Sequence, residues 1–106
     1  MVKDYCFVGD IPVVLWGEDA SDLFVAVHGD LSFKEDKIIE VFAREAVSRG
    51  YRVLSFDLPE HGDRKGTGRL CNPWNCAEDL RAILDSSFCR SKNIGLFGCS
   101  IGLILG

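Results

Sequence analysis

No stretch of this sequence approaches the length of a membrane-spanning apolar run, and the N-terminus, Met1-Val2-Lys3-Asp4-Tyr5, lacks the charged-then-apolar layout of a signal peptide. These absences predict a soluble, cytoplasmic chain. Basic residues are in the minority, 12 Lys and Arg against 16 Asp and Glu for a formal net charge of −4. There is no basic surplus to hold a nucleic acid or an anionic membrane. Cysteine occurs five times, at positions 6, 71, 76, 89 and 99, with no C-x-x-C pair and no histidine at zinc-ligand spacing. That odd, scattered set predicts reduced thiols and argues against a disulfide framework or a structural metal. No G-x-G-x-x-G or G-x-x-x-x-G-K-[ST] loop follows the first predicted parallel strand, which weighs against a nucleotide-binding fold. No metal or organic cofactor is implied. Repeats, low-complexity tracts and linkers are lacking as well, so a single domain spanning residues 1–106 is expected.

What the sequence does contain is 47% hydrophobic and 26% charged residues, a globular composition with room for one modest core. Tyr5–Val8 and Ile11–Trp16 read as an antiparallel hairpin around Gly9-Asp10, with Pro12 suited to an edge strand because it has no N–H to donate. Leu23–Val27 is continuously apolar, the mark of a strand covered on both faces. Ser32-Phe33-Lys34-Glu35 has capping-box spacing, and Ile39, Phe42, Ala43, Ala46 and Val47 line one helical face that Gly50 closes. Tyr51–Phe56 is a further strand, followed by a polar loop from Leu58 to Leu70 in which Gly66-Thr67-Gly68 marks a turn. Asn72 and Pro73 supply an N-cap and a first-turn proline for a second helix with the stripe Cys76, Ala77, Leu80, Ile83 and Leu84. Asn93–Phe97 is a last strand. Strands separated by helices of this length imply right-handed crossovers. The expected class is therefore α/β, a mostly parallel sheet with helices on both faces and an N-terminal antiparallel hairpin.

Directly after the last predicted strand comes Gly98-Cys99-Ser100-Ile101-Gly102, a G-x-S-x-G run. A nucleophilic serine on a sharp strand-to-helix turn needs small residues two before and two after it, so that strand and helix can approach closely. Gly98 and Gly102 meet that need, and Ile101–Leu105 would begin the helix. Cys99, beside the serine, is read as a packing residue.

The leading hairpin, His28-Gly29-Asp30 after the third strand, Asp57-Leu58-Pro59-Glu60-His61-Gly62 after the fourth and the elbow after the fifth together resemble the N-terminal half of an α/β-hydrolase. The chain is most similar to small bacterial serine hydrolases related to serine aminopeptidases and monoglyceride lipases, from about Tyr5 to its end. The resemblance implies that Ser100 is the nucleophile that forms an acyl-enzyme with an ester, thioester or amide of a small-molecule acyl substrate. It implies oxyanion-hole donors in the backbone N–H groups of Ile101 and Asp30, with Leu31 the alternative to Asp30. It makes His28 a loop-shaping residue rather than the base.

In that family the triad acid and base follow the serine, whereas both histidines here, His28 and His61, precede it. The chain as given is therefore expected to be an inactive N-terminal portion of a hydrolase, truncated just after the elbow. His61, oriented by Asp57 or Asp30, is the substitute base within the chain, against a plainer reading as a turn residue. Trp74 and Phe33 are read as core or staple residues before site-lining ones. Ending where it does, the sheet would keep an unpaired apolar edge open to self-association. The alternative to an enzyme is a non-catalytic α/β module that uses this edge as a dimer or partner interface.

Overall fold

The computed structural model describes residues 1–98. The predicted elbow at Ser100 to Gly102 and the helix behind it lie outside the described residues. Strands β1 (Lys3–Val8) and β2 (Ile11–Trp16) form a hairpin in the register Val8↔Ile11 to Lys3↔Trp16. Its two-residue turn places Gly9 at φ +57°, the left-handed conformation that such hairpins require. There follow β3 (Asp22–Val27), helix α1 (Lys37–Ser48), β4 (Arg52–Phe56), a short 3-10 turn at Gly62–Arg64, helix α2 (Pro73–Asp85) and β5 (Asn93–Gly98). The five strands form one mixed sheet in the order β1-β2-β4-β3-β5. β3 runs parallel to both β4 and β5, while β2 pairs antiparallel with β4.

The helices lie on opposite faces, and each face has its own core. On one side Val13, Leu15, Val25, Leu54 and Phe56 pack with Cys76 and Ile83 of α2 and with Leu58. On the other, Val14, Trp16, Ala26 and Val53 pack with Ile39, Ala43 and Ala46 of α1. Successive residues of β2 thus serve alternate cores, which is why the run Ile11–Trp16 is apolar throughout and buried throughout. The sheet and helices have the expected α/β arrangement, but several local expectations are corrected.

Pro12 lies on an interior strand, since β2 is hydrogen-bonded on both sides. It is tolerated because pairing with β4 begins only at Val13↔Phe56. Its carbonyl still accepts from the Asp57 N–H at 3.2 Å, on the side where no donor is demanded of it.

Helix α1 starts at Lys37, later than the Ser32 capping box suggests. Asp36 is the N-cap, its carboxylate accepting from the Ile39 N–H at 2.7 Å, and the Ser32 hydroxyl hydrogen-bonds that same carboxylate. The displacement has a tertiary cause. Glu35 is drawn to Lys3 Nζ and the Tyr5 hydroxyl of β1, both at 2.6 Å, and Lys34 turns inward to Asp57. The helix ends in a Schellman motif, with Gly50 at φ +92° donating to the Val47 carbonyl and Tyr51 to that of Ala46.

Helix α2 has the expected Asn72 cap, which accepts from the Asn75 N–H at 2.8 Å. Its buried face differs: Asp79 is buried and Ala77 exposed, because Arg64 reaches Asp79 at 2.5 Å and Arg69 reaches it at 3.2 Å. Trp74 is neither core nor staple, being 78% exposed, and Phe33 is also exposed.

Candidate functional site

Val27 is in register with Phe56 on one side and with Gly98 on the other, so the chain leaves β3, β4 and β5 at a single edge of the sheet. This is the carboxyl edge of the parallel strands, where open α/β sheets bind ligands. Two loops meet there, one from His28 to Asp36 and one from Asp57 to Arg64. Both histidines of the chain hold these loops together.

His28 is fully buried. Its Nε2 accepts from the Leu58 N–H at 3.0 Å and its Nδ1 donates to the Gly29 carbonyl at 2.7 Å, so the ring is fixed in one neutral tautomer. Burial, reinforced by neighbouring His61, pushes its pKa below the ordinary histidine value. His61 lies over it, the ring centroids 5.0 Å apart. The Nε2 of His61 accepts from the Leu31 N–H at 3.2 Å, and its Nδ1 donates to the Pro59 carbonyl at 2.8 Å. Asp30 Oδ1 stands 3.5 Å from the same Nε2 and also accepts from Leu31 N–H. Both imidazoles therefore use both nitrogens on backbone groups of the two loops.

Leu31 and Glu60, at φ +59° and +64°, are the points where these loops turn toward each other. For residues with a β-carbon this conformation is costly and is held by its surroundings. The Leu31 side chain is thrown into solvent, while its N–H is held by Asp30 and His61. Among the described residues nothing accepts from the Asp30 N–H. A cavity of about 480 Å³ opens here, with Asp30, Leu31, Glu60, His61 and Cys71 in its wall.

The Asp57 carboxylate is hydrogen-bonded to neither histidine among the described residues. It is buried and accepts from the Lys34 N–H (2.9 Å), the Lys34 ammonium (2.9 Å) and the Asp63 N–H (3.0 Å), so it does not orient His61. Burial alone would lower the Lys34 pKa, but the hydrogen bonds to Asp63 and Asp57 outweigh it and hold the ammonium above its ordinary value. Arg64 extends the network by donating to the Asp57 carbonyl at 3.0 Å and to Asp79. Asp57 stood out in the sequence as part of the Asp57–Gly62 motif, but its partner Lys34 lies 23 residues earlier and belongs to no motif, so the network was not legible. Among the described residues no group of His, Cys, Asp and Glu is arranged to hold a metal ion. No helix among them is long and apolar enough to cross a membrane.

Of the sequence-predicted site, His28, Gly29, Asp30 and His61 come together at this edge, and Gly98 ends the neighbouring strand. Ser100, Ile101 and Gly102 lie outside the described residues. No family model and no curated protein matches the sequence. Solved structures do match it. A cold-adapted esterase from an Arctic intertidal metagenomic library superposes with a TM-score of 0.68 at 27% identity, over 91% of this chain and 47% of its own. Dienelactone hydrolase from Anabaena variabilis gives 0.70 at 18% identity, over 95% of this chain and 52% of its own. The mouse alpha/beta hydrolase domain-containing protein 10 gives 0.70 at 16% identity, over 92% of this chain and 39% of its own. The chain spans about half or less of the length of these three structures. Its hairpin, its parallel strands and its flanking helices are the fold of the N-terminal half of an α/β-hydrolase.

Proposed function

We propose that this chain supplies the nucleophile-bearing half of a serine hydrolase that cleaves an ester, thioester or amide bond through an acyl-enzyme on Ser100. The supporting observation is the register Val27↔Gly98: β3, which leads into His28-Gly29-Asp30, ends level with β5, the strand that precedes Ser100 in the sequence. In the proposed reaction the Ser100 hydroxyl attacks the acyl carbonyl and passes its proton to a base. The oxyanion accepts from the backbone N–H groups of Ile101 and Asp30. Collapse expels the alcohol, thiol or amine, and water then releases the acid. Asp30 is a better donor than Leu31, because the Leu31 N–H is already taken by Asp30 Oδ1 and His61 Nε2.

Neither histidine serves as the base, since both rings are fully engaged with the backbone. The 106-residue chain alone is therefore proposed to be inactive, with the acid and base of the triad supplied by residues outside it. The test is hydrolysis of p-nitrophenyl esters by this chain and by the product that includes the downstream coding sequence. The chain alone should match buffer. The longer product should hydrolyse the ester and lose at least about a thousandfold in rate with Ser100→Ala. Activity that survives Ser100→Ala in the longer product rules the reading out.

A further inference from the structure

The Sγ atoms of Cys71 and Cys76 lie 3.7 Å apart, Cys71 in the wall of the cavity beside His61 and Cys76 buried behind it. Cys71 precedes the N-cap Asn72 and Cys76 lies in the first turns of α2, the two positions whose side chains pack as a hydrophobic staple at a helix N-terminus. Here both staple residues are thiols. We infer that Cys71 and Cys76 form a redox site in which a low-molecular-weight disulfide converts the staple into an intramolecular disulfide bond. The sulfurs need to approach by less than about 2 Å to reach bonding distance.

The two thiols have different surroundings, and these assign the roles. Cys71 is half-buried at the cavity wall, its backbone held by the Glu60 carboxylate, which accepts its N–H at 2.8 Å. Cys76 is 1% exposed, and burial, together with its hydrogen bond to Cys71, pushes its thiol up to about 12. Cys71 is therefore the attacking thiol and Cys76 the resolving one. With oxidised glutathione, the Cys71 thiolate attacks one sulfur of the reagent, the glutathione S–S bond breaks, and one glutathione thiolate leaves and takes up a proton. Cys76 then loses its proton to water and attacks the Cys71 sulfur, expelling the second glutathione. Two protein thiols are oxidised by two electrons and one reagent disulfide is reduced to two thiols. The product ties the start of α2 to the wall that carries Glu60 and His61.

The test treats the full 106-residue chain with oxidised glutathione, quenches with acid, blocks free thiols with N-ethylmaleimide and maps tryptic peptides by mass spectrometry. Both cysteines fall in one peptide, Leu70–Arg81. The expected result is a peptide two hydrogens lighter that takes up no maleimide. Cys76→Ala should instead carry a stable glutathione on Cys71, while Cys71→Ser should leave Cys76 open to maleimide only after unfolding. A stable glutathione adduct on Cys71 in the unaltered chain overturns the inference. So does a Leu70–Arg81 peptide with two free thiols when Cys6 in the same sample is glutathionylated.

Discussion

A β-carbon placed on Gly62 would overlap the carboxyl group of Asp57. The loop after β4 folds back at this glycine, φ +54°, so closely that the buried carboxylate occupies the space a side chain would need. That approach lets Asp57 receive the N–H groups of Lys34 and Asp63 and the Lys34 ammonium at once. The same fold-back carries Pro59, Glu60 and His61 to the edge where β3 ends.

Gly62→Ala should therefore cost about 3 kcal/mol, from the left-handed backbone and the displaced carboxylate together. Gly66 provides the control: it also has positive φ, at +78°, but a β-carbon there meets nothing within 4 Å. Gly66→Ala should cost about 1 kcal/mol from the backbone alone. Urea denaturation of the two variants measures the difference, and equal losses would remove the special status of Gly62.

Asp57→Ala strands the Lys34 ammonium in a buried site with only the exposed Asp63 as partner. The expected loss is about 3–5 kcal/mol, with Asp57→Asn losing less because it keeps an acceptor for the backbone donors. The pH dependence has a definite sign. Lys34 has a folded pKa above 10.5, so its stabilising pairing is complete below 10.5 and is lost as pH rises through the folded value. Urea midpoints of the unaltered chain and Asp57→Ala should converge at high pH.

Burial of neutral His28 makes stability depend on pH near neutrality. Its folded pKa lies below the unfolded value of 6.5, so as pH falls the unfolded chain binds the proton first. Stability is complete above 6.5 and declines below it by up to about 1.4 kcal/mol per pH unit until the folded pKa is reached. Urea midpoints at pH 7.5 and 5.5 should show a larger drop for the unaltered chain than for His28→Gln. Identical drops would mean that His28 does not titrate on unfolding.

Element order, the two-faced sheet and the Asn72-Pro73 start of α2 were legible because they depend on neighbours in sequence. A run such as Ile11–Trp16 reports its burial on both faces in its own composition. The start of α1 was misread because the competition is tertiary: Glu35 pairs with Lys3 and Tyr5 across 30 residues or more, and Lys34 with Asp57 across 23. The stripe expected for α2 includes Ala77 and omits Asp79 for the same reason, since the burial of Asp79 depends on Arg64 and Arg69 from the preceding loop. At the candidate site the His-Gly motif was visible, but the engagement of both nitrogens of His61 was not. Leu31 N–H and Pro59 carbonyl are backbone groups, and no residue type announces them.

Among the described residues β5 is an edge strand, paired only with β3. Its outward apolar residues are Ile94, at 37% exposure, and Leu96, at 60%, on the face where Val25 lies in register beside Leu96. α2 covers Val25 and its neighbours but leaves Leu96 open. An edge with free backbone donors and acceptors and an apolar flank is a template for another strand. The 106-residue chain should therefore self-associate, with weight-average mass by sedimentation equilibrium rising with concentration. Leu96→Lys places a charge on that flank without disturbing a buried contact, and should shift the equilibrium toward monomer while leaving the urea midpoint of the dilute protein within about 0.5 kcal/mol. A monomer at all concentrations, or association unchanged in Leu96→Lys, would show that this edge is not the contact.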